Sequence, residues 1–206
     1  WRRTLAGLPE VLTLPTDRPR PPQQSFRGAV VRFRIDADVH TRLAHLAAAR
    51  DTTVFMAMRT ALTVLLARLS GSDDIAVGTP IAGRGDRALD ALIGMFVNTL
   101  VLRTRVPGHL GFDDLLDRVT TGNLEAFAHA DIPFERVVEE LEPARSTAQS
   151  PLFQVSIEYQ NTERPHLELP HLTVTGLQLD PTVCNFDLEL LLADTPTPDG
   201  TPGGLD

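Results

Sequence analysis

The stretch Val54–Leu69 limits the fold more than any other feature of this sequence, because its apolar residues fall on nearly every side of a helix drawn through it. A helix that is apolar all round must be covered all round. The stretch is too short to cross a bilayer and Arg59 and Arg68 interrupt it, so the cover has to come from protein. Thr53 stands as a possible N-cap behind Asp51 and Thr52, and Ser70-Gly71 stops the helix. A central helix of this kind belongs in a layered domain.

The flanking sequence supplies the other layers. Ala29–Ile35 sets Ala29, Val31, Phe33 and Ile35 on one face and Val30, Arg32 and Arg34 on the other, the period of a half-buried strand. Asp38–Arg50 is rich in Leu and Ala at helical spacing. Ile75–Ile81 and Met95–Arg103 read as strands joined by Gly83-Arg84-Gly85 and a short turn of helix. Phe112–Ala128 and Phe134–Leu141 read as helices, separated by the break at Asp131-Ile132-Pro133. Leu152–Tyr159, Leu172–Leu179 and Phe186–Ala193 alternate as strands. These elements predict a mixed-sheet α/β sandwich with about six strands and three or four main helices. Leu14–Gln24, with four prolines among charges, reads as an extended linker, and Thr195–Asp206 as a loop or frayed end.

Composition excludes several classes. With 42% hydrophobic and 22% charged residues the chain is globular rather than disordered, collagenous or a disulfide scaffold. Its 19 basic and 27 acidic residues give a net charge of -8, which repels phosphate backbones; neither nucleic acid nor an anionic membrane is expected as a partner. All 19 basic residues are Arg. The absence of Lys removes Schiff-base chemistry and the P-loop. Cys184 is the sole cysteine, so no intrachain disulfide or thiolate cage forms, and a reducing, cytoplasmic setting is expected. The first residues lack the pattern of a signal peptide.

Three stretches could carry chemistry. Gly78–Asp86 (GTPIAGRGD) fails the Walker pattern at Arg84, but Gly83–Ala88 matches GxGxxA between two strands, and Arg103 is conceivable as a partner for the 2′-phosphate of NADP. Against a dinucleotide loop, Arg87–Ile93 is too short a helix to cross a sheet and no acid ends the next strand. Asn98 shares a strand face with Phe96, Leu100 and Leu102, so its amide needs partners, either backbone groups or a substrate in a channel. His129–Glu135 holds a His and two acids, an acid–base candidate that helix logic explains more simply: His129 near a helix C-terminus, Asp131 as cap of the next helix and Pro133 in its first turn. The other histidines show no ligand spacing, so no metal site is expected. Cys184 reads as a packing residue, and Asp187 and Glu189 as the solvated face of a strand.

Taken in series, these motifs resemble the C-terminal lobe of a nonribosomal peptide synthetase condensation domain. Ile93–Leu100 (IGMFVNTL) is similar to the family's IGxFVNT segment, His129–Glu135 (HADIPFE) to HQDxPFE, and Pro151–Val155 to PLFQV. Asp73–Arg84 and Trp1–Pro22, with LPTDRPRP, fit as well. The resemblance implies a chloramphenicol acetyltransferase-like fold of two lobes with a tunnel between them. It assigns residues 1–24 to a linker from the N-terminal lobe and 25–206 to the C-terminal lobe, incomplete at both ends. It further implies amide formation between acyl or peptidyl and aminoacyl thioesters, carried on the phosphopantetheine arms of upstream and downstream peptidyl carrier domains, with no cofactor held by this lobe. The family's catalytic HHxxxDG is absent from the chain, so the chain by itself is expected to be inactive. Asn98 is the expected tunnel residue, with Gly78, Thr79 and Arg84 as further lining. Where the family often reads RDxSRxPL, Arg145–Leu152 reads RSTAQSPL, which puts a salt bridge there and the stiffness of that loop in doubt. Two alternatives remain: a condensation-like domain that recruits a partner protein without catalysis, and an NADP-binding domain.

Overall fold

A computed structural model describes residues 1–85, 87–89, 91–160, 172, 174, 181–197 and 201–206. The expected strand Leu172–Leu179 lies outside these apart from its residues 172 and 174, as do His166 and His171. The helices are α1 (Arg2–Leu5), α2 (Ala37–Ala49), α3 (Val54–Ser70), α4 (Phe112–Phe127) and α5 (Phe134–Leu141). The strands β1 (Asp74–Ile81), β2 (Asn98–Arg105), β3 (Val155–Gln160), β4 (Leu188–Pro196) and β5 (Pro202–Leu205) form one sheet in the order β2-β1-β3-β4-β5. The β1–β2 and β4–β5 pairs are antiparallel, and β1–β3 and β3–β4 are parallel.

Helix α3 is central, but it is not covered all round: Leu65 and Leu69 on one stripe are 51% and 48% exposed. The Thr53 hydroxyl accepts from the Met56 amide at 3.2 Å, and Gly71 ends the helix in the left-handed region. One side of α3 packs Leu62 and Leu66 onto Ile75 and Val77 of β1 and Val155 and Ile157 of β3. Another side sets Met56 and Ala57 against Leu116 and Val119 of α4, with Leu43 and Leu46 of α2 alongside. The opposite face of the sheet is covered only in part: Leu5 of α1, Val137 of α5 and Phe153 lie over Ala76 and Val101.

Arg59, the charge that interrupts the apolar run, is 1% exposed between these layers. Its guanidinium donates to Asn123 Oδ1 (2.6 Å), the Leu102 carbonyl (2.8 Å) and Thr104 Oγ1 (2.8 Å), which ties α3 to both α4 and β2. None of these acceptors is ionised. Burial therefore pushes its pKa down to about 9, which still leaves it charged at neutral pH.

Two further polar clusters tie helices to the sheet. Arg103 of β2 grips Asp74 of β1 in a bidentate pair (2.7 and 2.6 Å) and donates to the carbonyls of Thr4, Ala6 and Gly7, fastening α1 to the sheet. Within the sheet Tyr159 of β3 donates to Asp194 Oδ1 of β4 at 2.7 Å, and burial together with that bond raises the phenol's pKa. His40 of α2 brings Nε2 to 3.5 Å from the same carboxylate.

Besides the unexpected α1 and the later starts of β3 and β4, the structure departs from the expected elements most clearly in three places. Ala29–Ile35 is not a strand: Arg27 bridges to Val183 and Ile35 to Leu205, but between these ends no ladder forms among the described residues, and Val31 is 86% exposed. Alternation makes a segment fit for a sheet and does not provide the partner. Thr195–Asp206 is not simply a loop, since β4 runs to Pro196 and β5 returns along it with Leu205 fully buried. Glycines permit that close approach, because a Cβ at Gly203 would stand 2.1 Å from the Thr195 carbonyl oxygen. Finally, Met95–Val97 lie outside β2, where the preceding loop holds Phe96.

Candidate functional site

The alternation of β1, β3 and β4 sorts their side chains between the two faces. Ile75 and Val77 point into the α3 layer and Ala76 into the α5 layer, so Gly78 belongs to the second face and Thr79 to the first. Register places Ser156 beside Gly78 and Glu189 beside Ser156, with Glu158 beside Leu191. This half of the second face, beyond the reach of α1 and α5, carries an open groove of about 320 Å³. Gly78, Thr79, Pro80 and Thr99 border it on the β1–β2 side and Glu189 and Leu191 on the β4 side. Phe153 and Phe186 close its floor, with ring centroids 4.9 Å apart.

Gly78 makes that floor possible. A Cβ built on it would stand 2.1 Å from Phe153 Cε2, so the ring lies directly on the backbone of β1. Thr79 borders the groove but is only 3% exposed, and by alternation its side chain turns to the helical layer.

Asn98 opens β2 at the same end of the sheet. Its Nδ2 donates to the carbonyls of Ala130 (2.9 Å) and Ile132 (2.8 Å), and its Oδ1 accepts from the amides of Thr99 (2.8 Å) and Phe134 (3.0 Å). These four bonds use the whole capacity of a carboxamide. Of the two kinds of partner its position allowed, backbone groups hold the amide: Asn98 fixes the turn that leads into α5 and does not itself line the groove. The expected cap on α5 is correspondingly different. Pro133 is the N-cap residue and has no side-chain bond to give; Asn98, 36 residues away, supplies the acceptor for Phe134 that Asp131 was expected to supply. Asn98→Asp keeps this cap but points a carboxylate oxygen at two carbonyls. A loss of about 2 kcal/mol is expected by denaturant unfolding, with faster amide exchange in Phe134–Leu141. Wild-type stability and exchange would show that the turn is held by something else.

Arg84 folds the loop between β1 and β2. It donates to the carbonyls of Leu89 and Leu92 (2.9 Å to the latter) and stacks 4.3 Å over the Phe96 ring. Gly83, at φ +61°, lies so close to Phe96 that a Cβ would fall 1.7 Å from its carbonyl oxygen. With Phe96 captured, Leu92, Ile93, Met95 and Val97 turn outward, and Ile93 and Met95 are 104% and 87% exposed.

This geometry removes the dinucleotide reading. A phosphate loop of that type joins parallel strands through a helix, whereas β1 and β2 are antiparallel neighbours and Arg87–Leu89 is a single 3-10 turn. Arg103, the imagined NADP partner, is committed to Asp74 and three carbonyls.

Elsewhere, the linker is fastened down: Arg20 forms a bidentate pair with Asp187, which is therefore not a freely solvated acid. The loop that departs from RDxSRxPL is held by the linker, with Thr147 Oγ1 donating to the Pro22 carbonyl at 2.9 Å and the Gln24 amide donating to the Thr147 carbonyl at 2.8 Å. Cys184 is half-buried, with Sγ 2.8 Å from the Phe186 carbonyl oxygen. Sequence reading did not identify Ser156, Phe153, Glu158 or Glu189 as groove residues; the register of parallel strands far apart in the chain places them there.

The family profile of the condensation domain matches residues 1–197. This chain belongs to the condensation domain family. It is 48% identical over 205 residues to a probable non-canonical nonribosomal peptide synthetase, CymA, of Salinispora arenicola, covering all of this chain and 3% of that protein. To a dimodular nonribosomal peptide synthase of Bacillus subtilis it is 45% identical over 207 residues, again along its whole length and over 9% of the relative. Among solved structures, the X-domain from teicoplanin biosynthesis superposes with a TM-score of 0.91 at 30% identity, covering all of this chain and 46% of that one. The four-domain nonribosomal peptide synthetase AB3403 gives 0.82 at 26%, over all of this chain and 16% of that one. The condensation chain thus spans less than half of these structures and under a tenth of the two curated relatives. The chloramphenicol acetyltransferase-like α/β fold expected from the motifs is the one found.

Proposed function

We propose that residues 25–206 are the C-terminal lobe of an amide-forming condensation domain, with 1–24 as the linker from its N-terminal lobe. The observation that carries this reading is the pairing of an open groove on the sheet with the exposed Ile93, Met95 and Val97 at the adjoining end of β2, an apolar surface of the kind a second lobe covers. In this reading the lobe forms one wall of a tunnel. Carrier domains present the two substrates there on phosphopantetheine arms, and the lobe itself holds no cofactor. The amine nitrogen of the aminoacyl group attacks the thioester carbonyl carbon, the C–N bond forms, the C–S bond breaks and the thiol leaves. The proton lost by the amine is taken up by the second histidine of an HHxxxDG on the other lobe and handed to the departing sulfur, so that a neutral thiol leaves; the setting is the cytoplasm, where Cys184 stays reduced.

The wall contributes position and exclusion of water at the groove beside Gly78, with Asn98 and Arg84 holding the turns next to it, and no proton transfer of its own. The chain by itself is therefore expected to form no amide, and joined to an N-terminal lobe carrying HHxxxDG it should condense carrier-loaded substrates, read by mass spectrometry of the downstream carrier. Turnover by the isolated chain, or no product from the joined lobes with both carriers loaded, would overturn the reading. Binding of a partner enzyme by joined lobes that make no product would point to the recruiting role instead.

A further inference from the structure

Resting on that reading, we propose that the groove beside β1, β3 and β4 is a side-chain pocket for an aminoacyl substrate whose side chain is an aliphatic stem ending in a cation. The volume, about 320 Å³, lies within the range of small-ligand pockets, roughly 300–1,000 Å³. Its depth is set by Phe153, whose ring occupies the space that any side chain at residue 78 would need. The floor is thus two aromatic rings, Phe153 and Phe186, and Leu191 forms one apolar wall. Methylene groups are favourable there and a buried polar tip is not.

Among the described residues that line the groove the charge is of one sign. Glu158 and Glu189 stand on adjacent strands of the same face, and neither meets a cation among the described residues. The nearby acid that does, Asp187, is neutralised by Arg20. Among the described residues each of the two groove carboxylates takes only neutral donors: Oε1 of Glu158 accepts from Gln160 Nε2 at 3.0 Å, and Oε1 of Glu189 from the Asn185 amide at 3.4 Å. Aromatic faces below and carboxylates at the rim complement an alkylammonium or guanidinium group, whose stem lies on the rings while its head stays at the mouth.

The test uses the complete condensation domain with its carriers, comparing lysyl, norleucyl and glycyl groups loaded in turn on the donor and the acceptor carrier. In the Glu158→Gln/Glu189→Gln double variant the ratio of kcat/KM for lysyl over norleucyl should fall about fivefold on one of the two carriers, the factor expected for a partly solvated ion pair of about 1 kcal/mol. Ser156→Leu, which fills the groove from its open side, should lower lysyl and norleucyl turnover together and spare glycyl. A direct readout separates this pocket from the reaction itself: Nα-acetyl-lysine methylamide should shift the amide resonances around Ser156 and Glu189 more than the norleucine analogue does, and the double variant should abolish the difference. An unchanged lysyl-to-norleucyl ratio on both carriers, or equal shifts from the two amides, overturns the pocket. If no amide forms but the lysine-specific shifts persist, the reading of the reaction fails and the pocket stands.

Discussion

Gly78→Val is expected to cost about 3 kcal/mol or more of stability, seen as a fall in Tm of roughly 6–12 °C. The added Cβ would begin 2.1 Å from Phe153 Cε2 and 2.2 Å from Cζ, far inside any allowed contact, and β1 cannot recede. Gly78 pairs with Val101 on one side and Ser156 on the other, in the middle of the sheet. The ring must yield instead, and it is 2% exposed, wedged against Phe134 at a centroid distance of 5.8 Å and Phe186 at 4.9 Å. Moving it disturbs both the core under α5 and the groove floor. The interaction is testable as a cycle: Phe153→Leu should relieve most of the cost of Gly78→Ala, giving a coupling of about 1 kcal/mol or more between the two sites. Unfolding of Gly78→Val at the wild-type midpoint would sink this account of the floor.

The second large effect is expected at Arg59. Arg59→Ala removes three hydrogen bonds from a charged donor, leaves Asn123 Oδ1 and Thr104 Oγ1 without that partner, and opens a cavity in the most enclosed part of the core. A loss of about 4 kcal/mol follows from orphaned polar groups at 1–3 kcal/mol each and from the volume left unfilled. Arg59→Met separates the two contributions. It fills most of the space and also removes the burden of burying a guanidinium with no carboxylate opposite, so its loss should be about half that of Arg59→Ala. Arg59→Lys keeps the charge but presents a single point of donors where the guanidinium reaches α4 and β2 at once, and should also destabilise the fold. Denaturant unfolding of the three variants checks the order, and a cost under about 1 kcal/mol for Arg59→Ala would show that the contacts to Asn123, Leu102 and Thr104 contribute little.

Both residues show how far the chain could be read in advance. Helix α5 runs from Phe134 to Leu141 as its periodicity predicts, and Thr53 caps α3, because a helix and its first turn depend on residues within four positions of one another. The same local reasoning failed at Asp131, where a nearer residue was expected to do what Asn98 does from a different element. It failed again at Ala29–Ile35, whose alternation is that of a strand but whose partners along most of its length are absent among the described residues. The glycines and prolines of Thr195–Asp206 concealed β5 for the opposite reason: what breaks an isolated strand is here what lets two strands meet at Gly203.

The candidate site divides in the same way. Asn98, Gly78 and Arg84 were visible as unusual residues in their surroundings, but their roles were not, since an amide among apolar neighbours has the same sequence signature whether it meets a backbone or a substrate. Ser156, Glu158 and Glu189 carried no signal at all, because alternating polar residues on a strand are indistinguishable from a solvated face until the register is known.

By itself, then, the sequence determined the four longer helices, the Thr53 cap of α3, the largely buried course of Val54–Leu69 and the order of motifs that marks the family, all of which follow from periodicity and short-range hydrogen bonding. Tertiary structure alone decided that Arg59 and Arg103 are spent inside the fold, that Asn98 holds a turn, and that Phe153 can lie on β1 only where a glycine leaves it room. Those outcomes depend on groups brought within about 3 Å from tens of residues away, and sequence spacing carries no record of such distances.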